Sequence, residues 1–221
     1  MRFCSIFSQL LQIFPRHEFQ QAVVATKAER HARGFECWEQ FVAMLFCQLA
    51  QAQSLREVCL GLASYQGKLC HLGLKAAPAR STLAYANEHR AAQLYEQVFY
   101  QLLARCQQAA QHQGQGAKLR FKNKLLSLDA STIELCATVF DWAKFRRTKG
   151  AVKLHLVLQH QGYLPTFALI TEGCRHEVTV ARTLCFEAGS IIVMDRGYTD
   201  YQWFAALTRR QVYFVTRLKD P

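Results

Sequence analysis

A chain of 221 residues with 51% hydrophobic residues can bury a core and has room for two modest domains or one large one. Its 27 lysines and arginines against 16 acids leave a formal charge of +11, which points to polyanions, and to nucleic acid rather than an anionic membrane because no basic amphipathic helix stands out. The longest apolar run, Phe41 to Ala50, is too short to span a bilayer; the N-terminus lacks a secretory cleavage site; and nine scattered cysteines without a Cys-x-x-Cys pair argue against a zinc ribbon and suit a reducing cytoplasm.

Residues 1–112 read as helical throughout. Phe35 to Ala50 is apolar nearly all round, as in a buried helix. Ser54 and Glu57 have capping-box spacing, so a helix starts there and ends near Gly61 or Gly67. Ser81 is expected to cap the next helix, which stops near Arg90 or runs on. From Ala91 to Cys106 the apolar residues keep an unbroken helical period. The segments Ser54–Ser64 and Ser81–His89 could form a helix-turn-helix unit, and a plain bundle carrying Arg80, His89 and Arg90 on its surface fits equally well.

Gln107 to Gly116 is rich in Gln and Gly without apolar periodicity and reads as a linker, centred on residues 113–120. Leu125 to Asp129 is a short apolar strand ending in a carboxylate. Val152, Leu154, Leu156 and Leu158 alternate with Lys153, His155, Val157 and Gln159, a period-two strand. A Gln161-Gly162 turn and a strand from Leu164 to Thr171 complete a hairpin. Then come a helix from His176 to Phe186, a strand from Ser190 to Asp195 buried on both faces, a helix from about Thr199 to Arg210, and a strand from Val212 to Arg217. This order predicts an α/β fold: a mixed, incomplete RNase H-like sheet over residues 121–221, preceded by an all-α domain of DNA-binding type over residues 1–112.

The aspartates are Asp129, Asp141, Asp195, Asp200 and Asp220. Asp129 and Asp195 end apolar strands that lie side by side in such a sheet, so their carboxylates are expected to meet at one edge. Two close carboxylates repel unless they share a proton or bind a cation, and hard oxygen donors suit Mg²⁺. A lone strand-end aspartate is more often a turn former or cap; two in these places, beside a basic stretch, favour a metal site. Asp200 and Asp220 read as cap and turn residues, His155 as structural, and His176 with Glu177 as a helix opening. Between Phe140 and Gly150 aromatics alternate with Lys144, Arg146, Arg147 and Lys149, a pattern that holds phosphates and stacks on bases. Lys153, Arg196 and Tyr198 are expected to join that DNA contact.

The segments Leu128 to Leu135, Trp142 to His155 and Val193 to Tyr198 resemble bacterial insertion-sequence DDE transposases, in particular the IS-four group marked by a Tyr-x2-Arg-x3-Glu-x6-Lys signature. Lys27 to Phe35 resembles the helical domain such proteins carry ahead of the catalytic one. The resemblance implies that Asp129 and Asp195 are the first two acids of the DDE triad and coordinate Mg²⁺ or Mn²⁺. It further implies cleavage of transposon-end DNA, strand transfer to target DNA, a dimer in the complete protein, and a cytoplasmic, nucleoid-associated location with no membrane partner. The family's third acid lies beyond the last strand, whereas the last glutamate here is Glu187. A truncated chain that binds DNA without transposing is therefore expected. A metal-dependent nuclease on the same fold and a non-enzymatic DNA-binding regulator of transposition are the competing readings.

Overall fold

The computed structural model describes residues 5–30, 32–65, 67–113, 122–135, 144–146 and 149–217. The chain divides into two compact units, Met1–Leu102 and Leu103–Pro221.

In the first unit the described elements are α1 (Ile6–Leu11), α2 (Arg16–Thr26), α3 (Cys37–Leu49), α4 (Leu55–Ala63), a 3-10 turn (Leu69–Leu72) and α5 (Arg80–His89); α6 (Gln93–Gln113) begins there and crosses the boundary. Their core gathers Phe19, Trp38, Phe41, Val42, Val58, Leu62, Leu83 and Leu94. Helix α4 starts as its spacing predicts: Ser54 Oγ accepts from Glu57 N at 3.2 Å, while Gln53 N donates to Glu57 Oε2 at 2.8 Å. Helix α5 does not. It begins at Arg80 behind Ala79, with no side-chain cap, so Ser81 lies inside the helix. Arg90 leaves helical geometry, with φ −84° and ψ 145°, and so separates α5 from α6. Helix α6 then runs to Gln113, through residues read as linker, because Gln and Ala sustain a helix without an apolar stripe.

The second unit is built on a mixed sheet of β1 (Leu125–Leu135), β2 (Lys144–Arg146), β3 (Lys149–Gln159), β4 (Leu164–Glu172), β5 (Ile191–Met194) and β6 (Tyr213–Val215). Strand β3 pairs antiparallel with β1, β2 and β4, and β5 pairs parallel with β1 and β6, so the main path is β2-β3-β1-β5-β6, with β4 also paired to β3. The expected basic loop is thus partly a strand, β2. The β3–β4 hairpin closes through left-handed Gly162 and Tyr163, with φ of 88° and 53°.

Helix α8 (Tyr201–Arg209) is capped by Asp200, as its sequence reading has it: Trp203 N donates to Asp200 Oδ1 at 2.7 Å. Its Trp203, Phe204 and Leu207 cover Leu126, Leu128, Ile192 and Met194 on one sheet face. A buried leucine such as Leu207 contributes roughly 1.5–3 kcal/mol by leaving water. Helix α7 is only Glu177–Ala181, much shorter than expected. Its Val178, Thr179 and Val180 are β-branched, and just past its end Thr183 Oγ1 back-bonds to Val180 O at 2.7 Å.

Two strand readings are corrected. Strand β5 is buried on one face, with Ile192 and Met194 inside and Val193 36% exposed, so it alternates rather than being buried on both. Strand β1 does not end at Asp129 but continues to Leu135, held by β3 along its whole length.

Candidate metal site at the end of the central strands

The parallel register of β1 and β5 runs from Leu125↔Ile191 to Leu128↔Met194 and stops there. Asp129 and Asp195 are the next residue on each strand. Neighbouring strands lie about 4.8 Å apart, so the two carboxylates leave the sheet side by side where β5 ends. Both residues are exposed. Asp129 is therefore mid-strand, but at the point where its β1 strand loses its parallel neighbour.

Asp195 is oriented by the turn that follows. Gly197 N donates to Asp195 Oδ1 at 2.9 Å, and Thr216 Oγ1 donates to Asp195 O at 3.0 Å. A 3-10 turn over Arg196–Tyr198 then sends Tyr198 back into the core. This overturns the expectation that Tyr198 contacts DNA: it is 1% exposed and packs with Trp203. Its hydroxyl has no hydrogen-bond partner among the described residues. Burial above all, and then the charges of Glu177, Asp129 and Asp195, hold that hydroxyl well above its ordinary pKa.

Glu177, read from the sequence only as a helix opening, is the residue sequence reasoning missed. A β-carbon added at Gly197 would sit 2.9 Å from Glu177 Oε2 and 3.0 Å from Asp195 Oδ1. The two carboxylate oxygens are thus no further apart than the sum of those distances. A side chain at position 197 would have to displace one of them.

Glu177 Oε1 also pairs with Lys153 Nζ at 3.2 Å, and Lys153 Nζ donates to Arg175 O at 3.0 Å. The Lys153 side chain is 12% exposed. That engagement places the Lys153 ammonium, expected at DNA, against Glu177, whose charge it offsets. One inward-facing position further along the strand, His155 is fully buried, with Nε2 2.9 Å from Thr171 Oγ1. Burial, then the nearby Lys153 charge, holds its imidazole below the usual pKa.

Of the remaining expected DNA contacts, Lys144 and Arg146 fall on β2, Lys149 opens β3, and Arg196 is exposed on the turn after Asp195. Arg147 and Asp141 lie outside the described residues.

The donor set fits a divalent cation in one way. Among the described residues no cluster of three or more His, Cys, Asp or Glu is arranged to hold a metal. Mg²⁺ can be held by one or two carboxylates, with waters and substrate phosphates completing its shell. Asp129 and Asp195 can supply the two.

Residues 120–221 match the family model described as a transposase DDE domain, and residues 4–75 match one described as a domain of unknown function (DUF4372). The chain is 27% identical over 143 residues to a putative transposase, y4zB, of Sinorhizobium fredii (strain NBRC 101917 / NGR234), covering 65% of this chain and 38% of that protein. It is 29% identical over 102 residues to a probable transposase for insertion sequence element IS5377 of Geobacillus stearothermophilus, covering 46% of this chain and 27% of that protein. The chain thus spans well under half the length of these relatives. Its second unit is similar to transposase DDE domains, in keeping with the RNase H-like strand order.

Proposed function

We propose that this transposase-related chain supplies the first two acids and part of the DNA-binding surface of a DDE transposase of the IS-four group. In this reading Asp129 and Asp195 hold Mg²⁺ or Mn²⁺ at transposon-end DNA. The observation that carries it is their placement: consecutive positions past the last β1–β5 pair, exposed, on a rigid sheet. The bound cation would polarise a phosphodiester and lower the pKa of the attacking hydroxyl. The chain's own part is positional. The Gly197 amide fixes one Asp195 oxygen, and Lys153 keeps the Glu177 charge from adding in full to the two aspartates.

Lys144, Arg146, Arg147, Lys149 and Arg196 are assigned to the phosphate backbone, where each neutralised charge adds affinity by counterion release. Residues 1–112 are read as a helical DNA-binding portion, 113–120 as its link, and 121–221 as the DDE portion. Target DNA, a dimer in the complete protein, and a cytoplasmic, nucleoid-associated location belong to the same proposal.

The test is Mn²⁺ binding by the purified chain, followed by electron paramagnetic resonance with and without duplex DNA. The expected result is a site that tightens with DNA and is lost in both Asp129→Asn and Asp195→Asn. DNA binding that ignores Mn²⁺, with identical behaviour in both variants, would favour the non-enzymatic regulator instead.

A further inference from the structure

The helical unit contains a basic cleft of about 740 Å³, lined by Lys27, Arg30, Arg33, Phe35, Tyr85 and His89. Its first wall is the segment after α2. Lys27 closes that helix in the left-handed region at φ 53°, with Lys27 N on Val24 O at 3.2 Å and Ala28 N on Val23 O at 3.1 Å. Backbone groups therefore satisfy the last carbonyls of α2, and the cations are not needed as caps. Two further turns, Arg30 N to Lys27 O at 3.2 Å and Ala32 N to Glu29 O at 3.0 Å, bring Lys27, Arg30 and Arg33 out at three-residue intervals. All three are exposed, and none has an ion pair among the described residues.

The acid within this segment forms no ion pair with them among the described residues. Glu29 Oε1 accepts from Cys37 N and ties the segment to the head of α3. Arg90 is likewise occupied: its guanidinium donates to Phe35 O, to Glu36 O at 2.9 Å and to Gln40 Oε1 at 3.1 Å, so it serves as a floor. The opposite wall is Tyr85 stacked on His89, ring centroids 3.9 Å apart, with Tyr85 62% exposed. Glu88, exposed and 3.8 Å from His89, is the acid on this rim.

We infer that this cleft is a second DNA site, taking the phosphodiester backbone on Lys27, Arg30 and Arg33 with sugar rings against the Tyr85–His89 stack. Three cations without ion pairs among the described residues, at regular spacing beside an exposed aromatic face, suit a polyanion with flat apolar faces, read without sequence preference. The inference rests on the DNA-handling reading above but uses none of the residues of the acidic edge. Failure of one therefore leaves the other standing.

The test measures binding of the full chain to a labelled duplex of random sequence, by fluorescence anisotropy in EDTA over a range of KCl concentrations. The triple variant Lys27→Gln, Arg30→Gln, Arg33→Gln is compared with a charge-matched control, Arg56→Gln, Lys68→Gln, Arg80→Gln. Every phosphate no longer neutralised should flatten the log–log salt slope by about 0.9, so the slope of the cleft variant is expected to fall by about 2–3 and that of the control by far less. Thermal melts check that both remain folded, and Arg30→Glu alone should weaken binding by at least about tenfold, a single-site check. Equal flattening in both triple variants, or an unchanged slope in the cleft variant, would overturn the assignment.

Discussion

The Lys153–Glu177 pair gives the most direct access to how the acidic edge is held. At 3.2 Å the bare attraction is roughly 5 kcal/mol at an effective dielectric of about 20. Desolvation removes much of it, because the side chains are only 12% and 26% exposed. The net expectation is that Glu177→Gln costs about 1–2 kcal/mol. The substitution preserves shape but leaves the Lys153 ammonium with only the Arg175 carbonyl as a good acceptor. Lys153→Met should cost less, since the more exposed Glu177 can turn to water. Hydrogen exchange read by mass spectrometry on peptides covering Leu125–Leu135 and Ile191–Met194 reports the destabilisation locally. About 1–2 kcal/mol appears as roughly 5–30-fold faster opening. A double-mutant cycle should return a coupling of the same order. Exchange in Glu177→Gln within twofold of wild type, or a cycle with no coupling, would refute the view that the pair anchors α7 to the strand ends.

Two further predictions concern the groups beneath that pair. Tyr198→Phe removes a buried hydroxyl with no partner among the described residues, so thermal melts should show no loss, or a gain of up to about 1 kcal/mol; a loss above about 1 kcal/mol would mean the hydroxyl is bonded in solution. His155 should make stability depend on pH. Its folded pKa is depressed below 6.5, so under acid the unfolded chain takes up a proton that the folded chain refuses. The contribution is present above pH 6.5 and falls below it by up to about 1.4 kcal/mol per pH unit, until the folded pKa is reached. Urea unfolding at pH 7.5, 6 and 5 should show a shallower fall in His155→Gln, which can still bond Thr171; the same slope in the variant would exclude His155 as the cause.

The sheet was legible because each strand carries its own signal: the alternation from Val152, the glycine turn at 162, the apolar run into Asp195. The end of β1 was not. Its continuous apolar run breaks at Asp129, and the ladder continues through Ser131, Thr132 and Glu134 because backbone pairing with β3 needs no apolar side chains. The face of β3 was also misleading. Lys153 lies on the same side as fully buried His155 and Val157, whereas Leu154, Leu156 and Leu158 are only half-buried. A charged residue on the inward face is a demand for a partner, and it was the one local hint of Glu177. Nothing around Glu177 itself announces a site. It arrives there because the chain between β4 and β5 returns α7 to the strand ends, a consequence of topology and not of spacing.

The balance of charge at this edge separates the three carboxylates by role. Glu177 has Lys153 at 3.2 Å, so its charge is largely compensated within the fold. Asp195 has one oxygen committed to the Gly197 amide. The Asp129 carboxylate has no hydrogen bond or ion pair among the described residues, and it stands exposed beside the β5 terminus. A structural acid is normally paired, capped or bonded to backbone; two neighbouring carboxylates with uncommitted oxygens are a standing repulsion that a divalent cation relieves. With the largely buried Lys153 committed to Glu177, this supports Asp129 and Asp195 as the cation ligands and Glu177 as an acid compensated within the fold.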